Sequence, residues 1–260
     1  MLIPAGQRTS AQPSQISEGG SAMAFSRVVV SPQPARADAL TVDMVGIGMN
    51  FATGSARPNI AQPNIEDTLL FASIEGMEKP DLRVLAILIT WFGVHSAWVN
   101  ADRLTRLVSL TKSRRIRALW SALARWQQKD RRFARLGRLY RGPRLDLMET
   151  GTEFQIKRHG EDQRLKGSAI RVAANVLRDR PADVLSPADL ARRHHAYRWR
   201  VIIGPGYRAD MWAALEDDRS LSAAALAKKT YGSFATAWRV HRDFGLLTRP
   251  AGASGTARSA

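Results

Sequence analysis

The residues best suited to do chemistry in this sequence are the basic ones between Lys112 and Arg144. Twelve lysines and arginines fall in that stretch, and Asp130 is its single acid. The chain of 260 residues carries a formal net charge of +16, so much of its excess charge is concentrated here. Charge this dense repels itself unless an anion lies against it, and a phosphate backbone is the commonest such partner. The stretch therefore predicts a surface for double-stranded DNA; a solvated basic face without a partner is the alternative.

The first half of this stretch has the pattern of an amphipathic helix. Its apolar residues recur at steps of three and four, as a helical stripe requires; they are Ile116, Leu119, Trp120, Leu123 and Trp126. A helix over 114–129 would turn its basic side chains away from that stripe and into the major groove. The residues expected to contact bases or phosphates are Arg114, Arg115, Arg117, Ser121, Arg125 and Lys129.

The second half of the stretch reads differently. Gly137, Gly142 and Pro143 interrupt it, and apolar and basic residues partly alternate over 139–147. This pattern predicts a twisted two-stranded ribbon, a wing, over 133–148, with a further strand over 153–157. Its expected contacts to phosphate or to the minor groove are Arg132, Arg135, Arg138 and Arg141.

Helices placed before the basic stretch would complete a first helix-turn-helix unit over 65–158. The sequence predicts a helix over 66–77, a second helix that Pro80 opens, and a third over 101–108 behind an Asn100 cap. Residues 1–64 are rich in Gly, Pro, Ser, Ala and Gln and lack periodicity, which predicts a disordered tail.

The remainder divides into a helical connector over 159–207 and a second helix-turn-helix unit over 208–250. The connector is expected to hold a helix over 168–180, ended by Pro181, and one continuous helix from a Ser186 cap to Gly204. The second unit is expected to hold helices over 209–216, 223–229 and 234–244, followed by a flexible tail over 251–260. Its outward residues would be Thr236, Arg239 and Arg242.

Residues 200–247 resemble the winged helix-turn-helix domains of bacterial transcriptional regulators. The similar features are a Gly-x-Gly-x-Arg-Ala start at 204–209, a small-residue second helix at 223–227, Tyr231-Gly232-Ser233, and Gly245-Leu246-Leu247. The resemblance covers about 48 of the 260 residues. It departs from the family after Leu247, where a Gly/Ala/Ser-rich segment makes a second wing strand hard to form. The resemblance implies a unit that binds DNA or serves as a dimerisation or partner module.

These observations predict a mainly α fold, with tandem winged helix-turn-helix units, a short β-ribbon wing and a disordered N-terminal tail. The predicted function is a DNA-binding transcriptional regulator of the cytoplasm. One alternative is an antitoxin-like or adaptor protein whose C-terminal unit binds a protein partner, and another is a membrane-associated basic protein. The uncharged run 84–101 is apolar enough to raise the membrane alternative, although Gly93, His95 and Asn100 favour a buried core helix.

The motifs of familiar enzymes are missing from the sequence. It has no phosphate-binding loop of the G-x-x-x-x-G-K-[ST] type and no cysteine, so thiolate chemistry and disulfides are excluded. His194 and His195 are adjacent, and rings about 100° apart on a helix cannot chelate one metal from the same face. We therefore expect no enzyme activity, no metal and no cofactor.

Overall fold

A computed structural model describes residues 37–51 and 62–248, and most of this chain is helical. The predicted mainly α fold is thereby confirmed. The helices are α1 Ala37–Gly46, α2 Ile65–Glu78, α3 Leu82–His95, α4 Ala101–Leu110, α5 Arg114–Trp126, α6 Thr152–His159, α7 Pro187–Arg193, α8 His195–Ile203, α9 Tyr207–Asp217, α10 Ala223–Thr230 and α11 Phe234–Thr248. Short 3₁₀ turns lie at Ser96–Trp98, Arg131–Ala134, Leu136–Arg138 and Pro181–Asp183.

Helix α3 is the centre of the larger hydrophobic core. Every residue from 84 to 92 is buried, because other elements cover the helix on all sides. The Phe92 ring meets the rings of Trp120 on α5 and Phe133 edge-on, at centroid distances of 5.5 and 5.3 Å. The prediction of a buried core helix in this apolar run is confirmed.

Several helices begin at the side chains that the sequence suggested. The Asn100 side chain accepts a hydrogen bond from Arg103 N at 3.1 Å, and Ser186 accepts one from Asp189 N at 3.1 Å. Such caps satisfy backbone N–H groups that have no partner inside the helix. Helix α3 starts at Leu82, two residues after the predicted start at Pro80, because the Asp81 carboxylate caps it by accepting from Val84 N at 3.0 Å.

The segment 37–51 is folded, and the expectation of a disordered tail over 1–64 is wrong for it. Leu40, Met44, Ile47 and Met49 are buried in the larger core. Trp91 Nε1 donates a hydrogen bond to the Ile47 carbonyl at 2.7 Å. Leu40, Met44 and Ile47 recur at steps of four and three, which is a helical period, but the pattern is too short to stand out in a segment rich in Gly and Pro. Residues 1–36 and 52–61 lie outside the described residues.

The predicted wing over 133–148 is wrong. Phe133 and Leu136 turn into the core from two 3₁₀ turns, so this part of the chain cannot extend into a ribbon. A short strand follows, β1 Leu145–Asp146, and it pairs in parallel with β2 Ile170–Arg171. The strand predicted over 153–157 is also wrong, because those residues belong to α6.

The helix predicted over 168–180 is replaced by β2 and a series of turns. Ile170 and Val172 are buried while Arg171 between them is half-buried, which is the period of a strand and not of a helix. Asp162 N donates to the Val172 carbonyl at 2.9 Å, and Ala174 N donates to the Gly160 carbonyl at 2.9 Å. These long-range hydrogen bonds outweigh the weak helix propensity of the segment.

The continuous helix expected from Ser186 to Gly204 is interrupted at His194. That residue is extended, and its Nδ1 accepts a hydrogen bond from Tyr197 N at 3.2 Å, so His194 ends α7 and caps α8. The end of α8 beyond the interruption faces outward, where Val201 is 47% exposed.

Helices α9, α10 and α11 surround a second, smaller core. Met211, Leu215, Leu226, Ala237 and Val240 are buried in it. The Trp199 ring of α8 stacks on Trp212 at 5.2 Å, which joins the connector to this core.

The turn between α10 and α11 contains Tyr231 in the left-handed conformation, with a φ of 59°. The next residue, Gly232, packs closely on α9, since a Cβ there would lie 2.2 Å from Met211 Cε and the methionine would have to shift.

Candidate nucleic-acid interface

Helix α5 is buried on most of its circumference, so it cannot lie in a DNA groove. The predicted stripe of Ile116, Leu119, Trp120 and Leu123 is buried as expected. Ala118, Ala122 and Ala124 are buried as well, because their small side chains let neighbouring elements pack closely on other faces. The prediction of a recognition helix exposed along a basic face is therefore wrong for 114–126.

Three of the predicted contact residues on α5 are engaged inside the protein. Ser121 is 7% exposed, and its hydroxyl donates to the Gly137 carbonyl at 2.6 Å. Arg115 donates to the Leu147 carbonyl at 2.7 Å, and Arg117 donates to the Ser109 carbonyl at 3.1 Å. These side chains hold neighbouring backbone in place, which removes them from the candidate interface.

Arg132 also has a structural role. Its guanidinium donates to the Ala97 carbonyl at 3.0 Å and forms an ion pair with Asp130. Hydrogen bonds from Arg132 hold the pKa of Asp130 below its usual range. The pair therefore fixes the turn after α5 against the turn after α3.

Besides Arg132, the predicted contacts of the basic stretch that are exposed are Arg114, Arg125, Lys129, Arg135, Arg138 and Arg141. Three of these, Arg125, Arg138 and Arg141, line an open cavity of about 520 Å³. Arg131 and Arg144 line it too, so five arginines surround one concave site. We refer to this cavity and its lining as the arginine groove.

The arginine groove has an excess of positive charge, because Arg144 is the one of its five arginines that forms an ion pair with a described acid. Asp130 is its one acidic lining residue, and that carboxylate is already paired with Arg132. Arg125, Arg131 and Arg141 form no ion pair with any of the residues that the structure describes. Arg144 is partly engaged, because its Nε donates to the Ser168 carbonyl at 2.7 Å and it pairs with Glu161.

One wall of the groove is formed by the Tyr140 ring. Its hydroxyl donates to the Pro143 carbonyl at 2.7 Å, which fixes the ring against the turn at 142–143. A Cβ at Gly142 would lie 2.6 Å from the Tyr140 hydroxyl oxygen, so the glycine is needed for this close approach.

A smaller cavity of about 250 Å³ lies next to the arginine groove. The two cavities share Arg125, Gln128 and Ser168 among their lining residues. The smaller one adds the half-buried Trp126 and the exposed Lys166. Arg164 lies here as well, but Asp162 and Asp179 neutralise it. We call this second part the Trp126 compartment.

Sequence reasoning missed Arg131, Arg144, Lys166 and Tyr140 as site residues. Arg131 and Arg144 belong to the basic stretch, so its density of positive charge could have identified them. Lys166 lies in a polar segment more than twenty positions downstream, and only the parallel pairing of β1 with β2 brings that segment to the groove.

The predicted contacts of the C-terminal unit are placed on α11. Thr236 is half-buried at the start of the helix, where its hydroxyl lies 2.8 Å from that of Ser233. Arg239 and Arg242 are exposed. Arg242 pairs with Asp243 at 2.9 Å and its guanidinium lies 5.5 Å from the Trp238 ring centroid.

A further cavity of about 410 Å³ lies between α2 and the C-terminal helices. It is lined by both signs of charge, and most of its charged groups are paired, Arg200 with Asp210 and Glu66 among them. Burial, and then the charge of Asp67, raises the pKa of Asp43 at its edge. This balance makes it a weaker candidate for an anionic partner than the arginine groove.

The histidines show no arrangement for catalysis in the described part of the chain. Burial lowers the pKa values of His95 and His194 to about 4, so both are neutral at pH 7. Within residues 37–51 and 62–248, no group of three or more His, Asp or Glu side chains is placed to hold a metal ion.

None of the described helices is both long enough and apolar enough to span a membrane. A comparison with protein-family models finds no match, and neither the curated proteins nor the solved structures provide one.

Proposed function

We propose that this chain is a DNA-binding protein, acting as a transcriptional regulator, that holds backbone phosphates in the arginine groove. The observation that carries the proposal is the convergence of five arginines on one open cavity whose single carboxylate is already paired. Guanidinium groups match phosphate geometry because two parallel N–H donors can bind two phosphate oxygens at once. Exposed Lys129 and Arg135 extend the same charge beyond the cavity.

The resemblance to winged helix-turn-helix domains supports a second DNA contact on α11. Helices α9, α10 and α11 pack around one core, and α11 presents Arg239 and Arg242 to solvent. The proposal places the helix-turn-helix contact in this C-terminal unit alone, because α5 is buried and the segment 133–148 forms no wing. A cytoplasmic location also remains a proposal, resting on the lack of cysteine.

The test measures binding of the full chain to mixed-sequence DNA across a series of salt concentrations. If the groove holds phosphates, the logarithm of the affinity falls linearly with the logarithm of the salt concentration. Arg141→Ala should weaken binding and reduce that slope by about 0.9 for the lost phosphate contact. Arg193→Ala is the matched control, because Arg193 is equally exposed but lies on α7 outside the groove.

Two outcomes would overturn the proposal. One is a folded wild-type chain that binds no nucleic acid at low salt. The other is an Arg141→Ala variant whose affinity and salt slope equal those of Arg193→Ala.

A second candidate function is association through the C-terminal unit, and a specific observation favours it. Phe234 and Trp238, one turn apart on α11, are 45% and 51% exposed. Exposed aromatic residues beside arginine are typical of protein interfaces. We propose a second copy of this chain as the partner. Sedimentation equilibrium should show a dimer that Trp238→Ser dissociates, and a wild-type monomer at high micromolar concentration would refute it.

A further inference from the structure

The shape of the arginine groove limits which form of DNA can enter it. A protein that reads a duplex inserts a convex element, a helix or a ribbon, into a DNA groove. Here the free arginines surround a cavity of about 520 Å³, a size typical of sites that enclose a small molecule. The protein surface is therefore concave here, and a part of the nucleic acid must protrude into the cavity. A paired duplex presents only its backbone, whereas an unpaired strand can insert nucleotides.

The lining of the groove provides surfaces that paired bases could not use. Tyr140 lines the larger cavity and Trp126 lines the Trp126 compartment, and both rings are half-buried. Aromatic rings beside basic side chains are the usual means of binding single strands, because every unstacked base has a π face. In a duplex those faces are covered by neighbouring base pairs.

The two cavities are adjacent, because they share lining residues. Arg125 lines both, so one arginine is common to the cavity that holds Tyr140 and the compartment that holds Trp126. Gln128 is also shared, and its exposed amide makes no hydrogen bond with any described residue. Lys166 supplies a further cation in the Trp126 compartment. Each cavity thus combines an aromatic ring with basic side chains, which suits neighbouring nucleotides of one strand.

We propose that the arginine groove binds an unpaired stretch of polynucleotide, and this inference rests on the function proposed above. Phosphates lie against Arg125, Arg131 and Arg141, and bases lie against Tyr140 and Trp126. The site thus takes single strands, or duplexes that are locally opened, in preference to fully paired DNA.

The first experiment compares ligands by fluorescence anisotropy at one salt concentration. The ligands are a short single-stranded DNA, its fully paired duplex, the same duplex with a central unpaired bubble, and an abasic strand of equal length. The single strand and the bubble should each bind at least about tenfold more tightly than the paired duplex. The abasic strand should bind more weakly than the normal strand, because it offers phosphates without bases.

A single-stranded RNA of the same sequence identifies which polynucleotide the groove prefers, and tight binding of either supports the inference.

The second experiment uses variants of the Tyr140 ring. Tyr140→Leu should weaken single-strand binding about tenfold, because the stacking surface is lost, and should weaken duplex binding less. Tyr140→Phe keeps the ring and loses only the hydrogen bond to Pro143, so it should bind the single strand nearly as tightly as the wild type. Thermal melting of each variant checks that the turn at 140–143 remains folded.

The failures of the two proposals can be told apart. Absence of binding to every nucleic acid would overturn the proposed function. Binding of the paired duplex as tightly as the single strand would overturn only the present inference. An abasic strand that binds like the normal strand would do the same, as would a Tyr140→Leu variant with wild-type affinity.

Discussion

At the scale of single residues, arginines of the same basic stretch have different roles: some form hydrogen bonds within the protein and others face solvent. Arg115, Arg117 and Arg132 donate to backbone carbonyls, while Arg125 and Arg141 remain available to a partner. A guanidinium has five N–H donors, so its position relative to nearby carbonyls decides whether it binds inward or outward.

The most buried charges form a network that joins the two cores. Arg200 is 1% exposed and bonds to Glu66 at 2.6 Å and to Asp210 at 2.8 Å. Burial alone would raise the pKa of Glu66, but the charge and hydrogen bonds of Arg200 lower it. Burial raises the pKa of Asp210, which shares the same guanidinium. Both carboxylates therefore depend on Arg200.

Arg200→Met should strongly destabilise the folded chain. It removes the one cation between two buried carboxylates, and breaking a buried pair on one side costs about 3–5 kcal/mol. Chemical denaturation of the variant gives the free energy of unfolding, with Arg193→Ala as an exposed control. A loss below about 1 kcal/mol would show that water or another cation compensates the carboxylates.

Two buried histidines make stability depend on pH. His95 Nε2 lies 3.0 Å from the Leu185 carbonyl, to which it donates, so Nδ1 accepts from the Tyr197 hydroxyl at 2.7 Å. His194 Nε2 likewise donates to the Pro63 carbonyl at 3.0 Å. Burial lowers both pKa values from 6.5 to about 4, so the unfolded chain binds more protons between these limits.

The free energy of unfolding should therefore be highest above pH 6.5 and fall as the pH decreases toward 4. Between pH 7 and pH 5 each histidine should contribute a loss of about 2 kcal/mol. His194→Asn should reduce this loss by about half, because asparagine can still cap α8 and does not titrate. Urea denaturation at several pH values measures the slope. An unchanged slope in the variant would assign the effect to other groups.

At the scale of elements, helix packing depends on particular small residues. Gly93 on α3 faces Trp126 at the end of α5, and a Cβ at position 93 would lie 2.7 Å from Trp126 Cη2. Trp126 also lines the smaller compartment of the candidate site. The contact between α3 and α5 thus positions a ring that we propose to bind a base.

Gly93→Ala should destabilise the chain by about 1–3 kcal/mol, although alanine favours helix formation, because the added methyl overpacks the contact. Gly245→Ala is the matched control. Nothing lies within 4 Å of a Cβ at that position in α11, so this variant should be neutral or stabilised by up to about 1 kcal/mol. Thermal and chemical denaturation compare the two. Equal effects would mean that Trp126 moves aside freely.

At the scale of the whole molecule, a segment with no clear sequence pattern completes the core. Besides burying four apolar side chains, the segment 37–51 is held by Asn50 N donating to the Asp183 carbonyl at 2.8 Å. Leu185 N donates in return to the Gly48 carbonyl at 2.9 Å. These bonds tie the start of the described chain to a turn more than 130 residues away.

Removal of residues 1–51 should lower the free energy of unfolding by at least about 4 kcal/mol relative to removal of residues 1–36. The two variants differ by the segment 37–51, and a fully buried Leu, Ile or Met side chain contributes roughly 1.5–3 kcal/mol. Denaturation of both variants under one set of conditions measures the difference. Equal stability would place this segment outside the cooperative fold.

The sequence by itself determined the features that depend on near neighbours. Asn100, Ser186 and Ser222 begin helices because their side chains reach N–H groups only three residues away. The stripe on α5 follows from the helical period alone. The concentration of positive charge between Lys112 and Arg144 is likewise present before any folding.

Only the tertiary structure decided which of those charges are free. The Ser121 hydroxyl is likewise not available to DNA, because it donates its hydrogen bond to the carbonyl of Gly137, 16 positions away. The predicted wing does not form, because β1 pairs with a strand at Ile170 and not with an adjacent hairpin strand. Lys166 joined the groove through that same pairing. Burial, parallel strand pairing and hydrogen bonds to distant carbonyls arise from residues far apart in the chain, and a local sequence period carries no information about them.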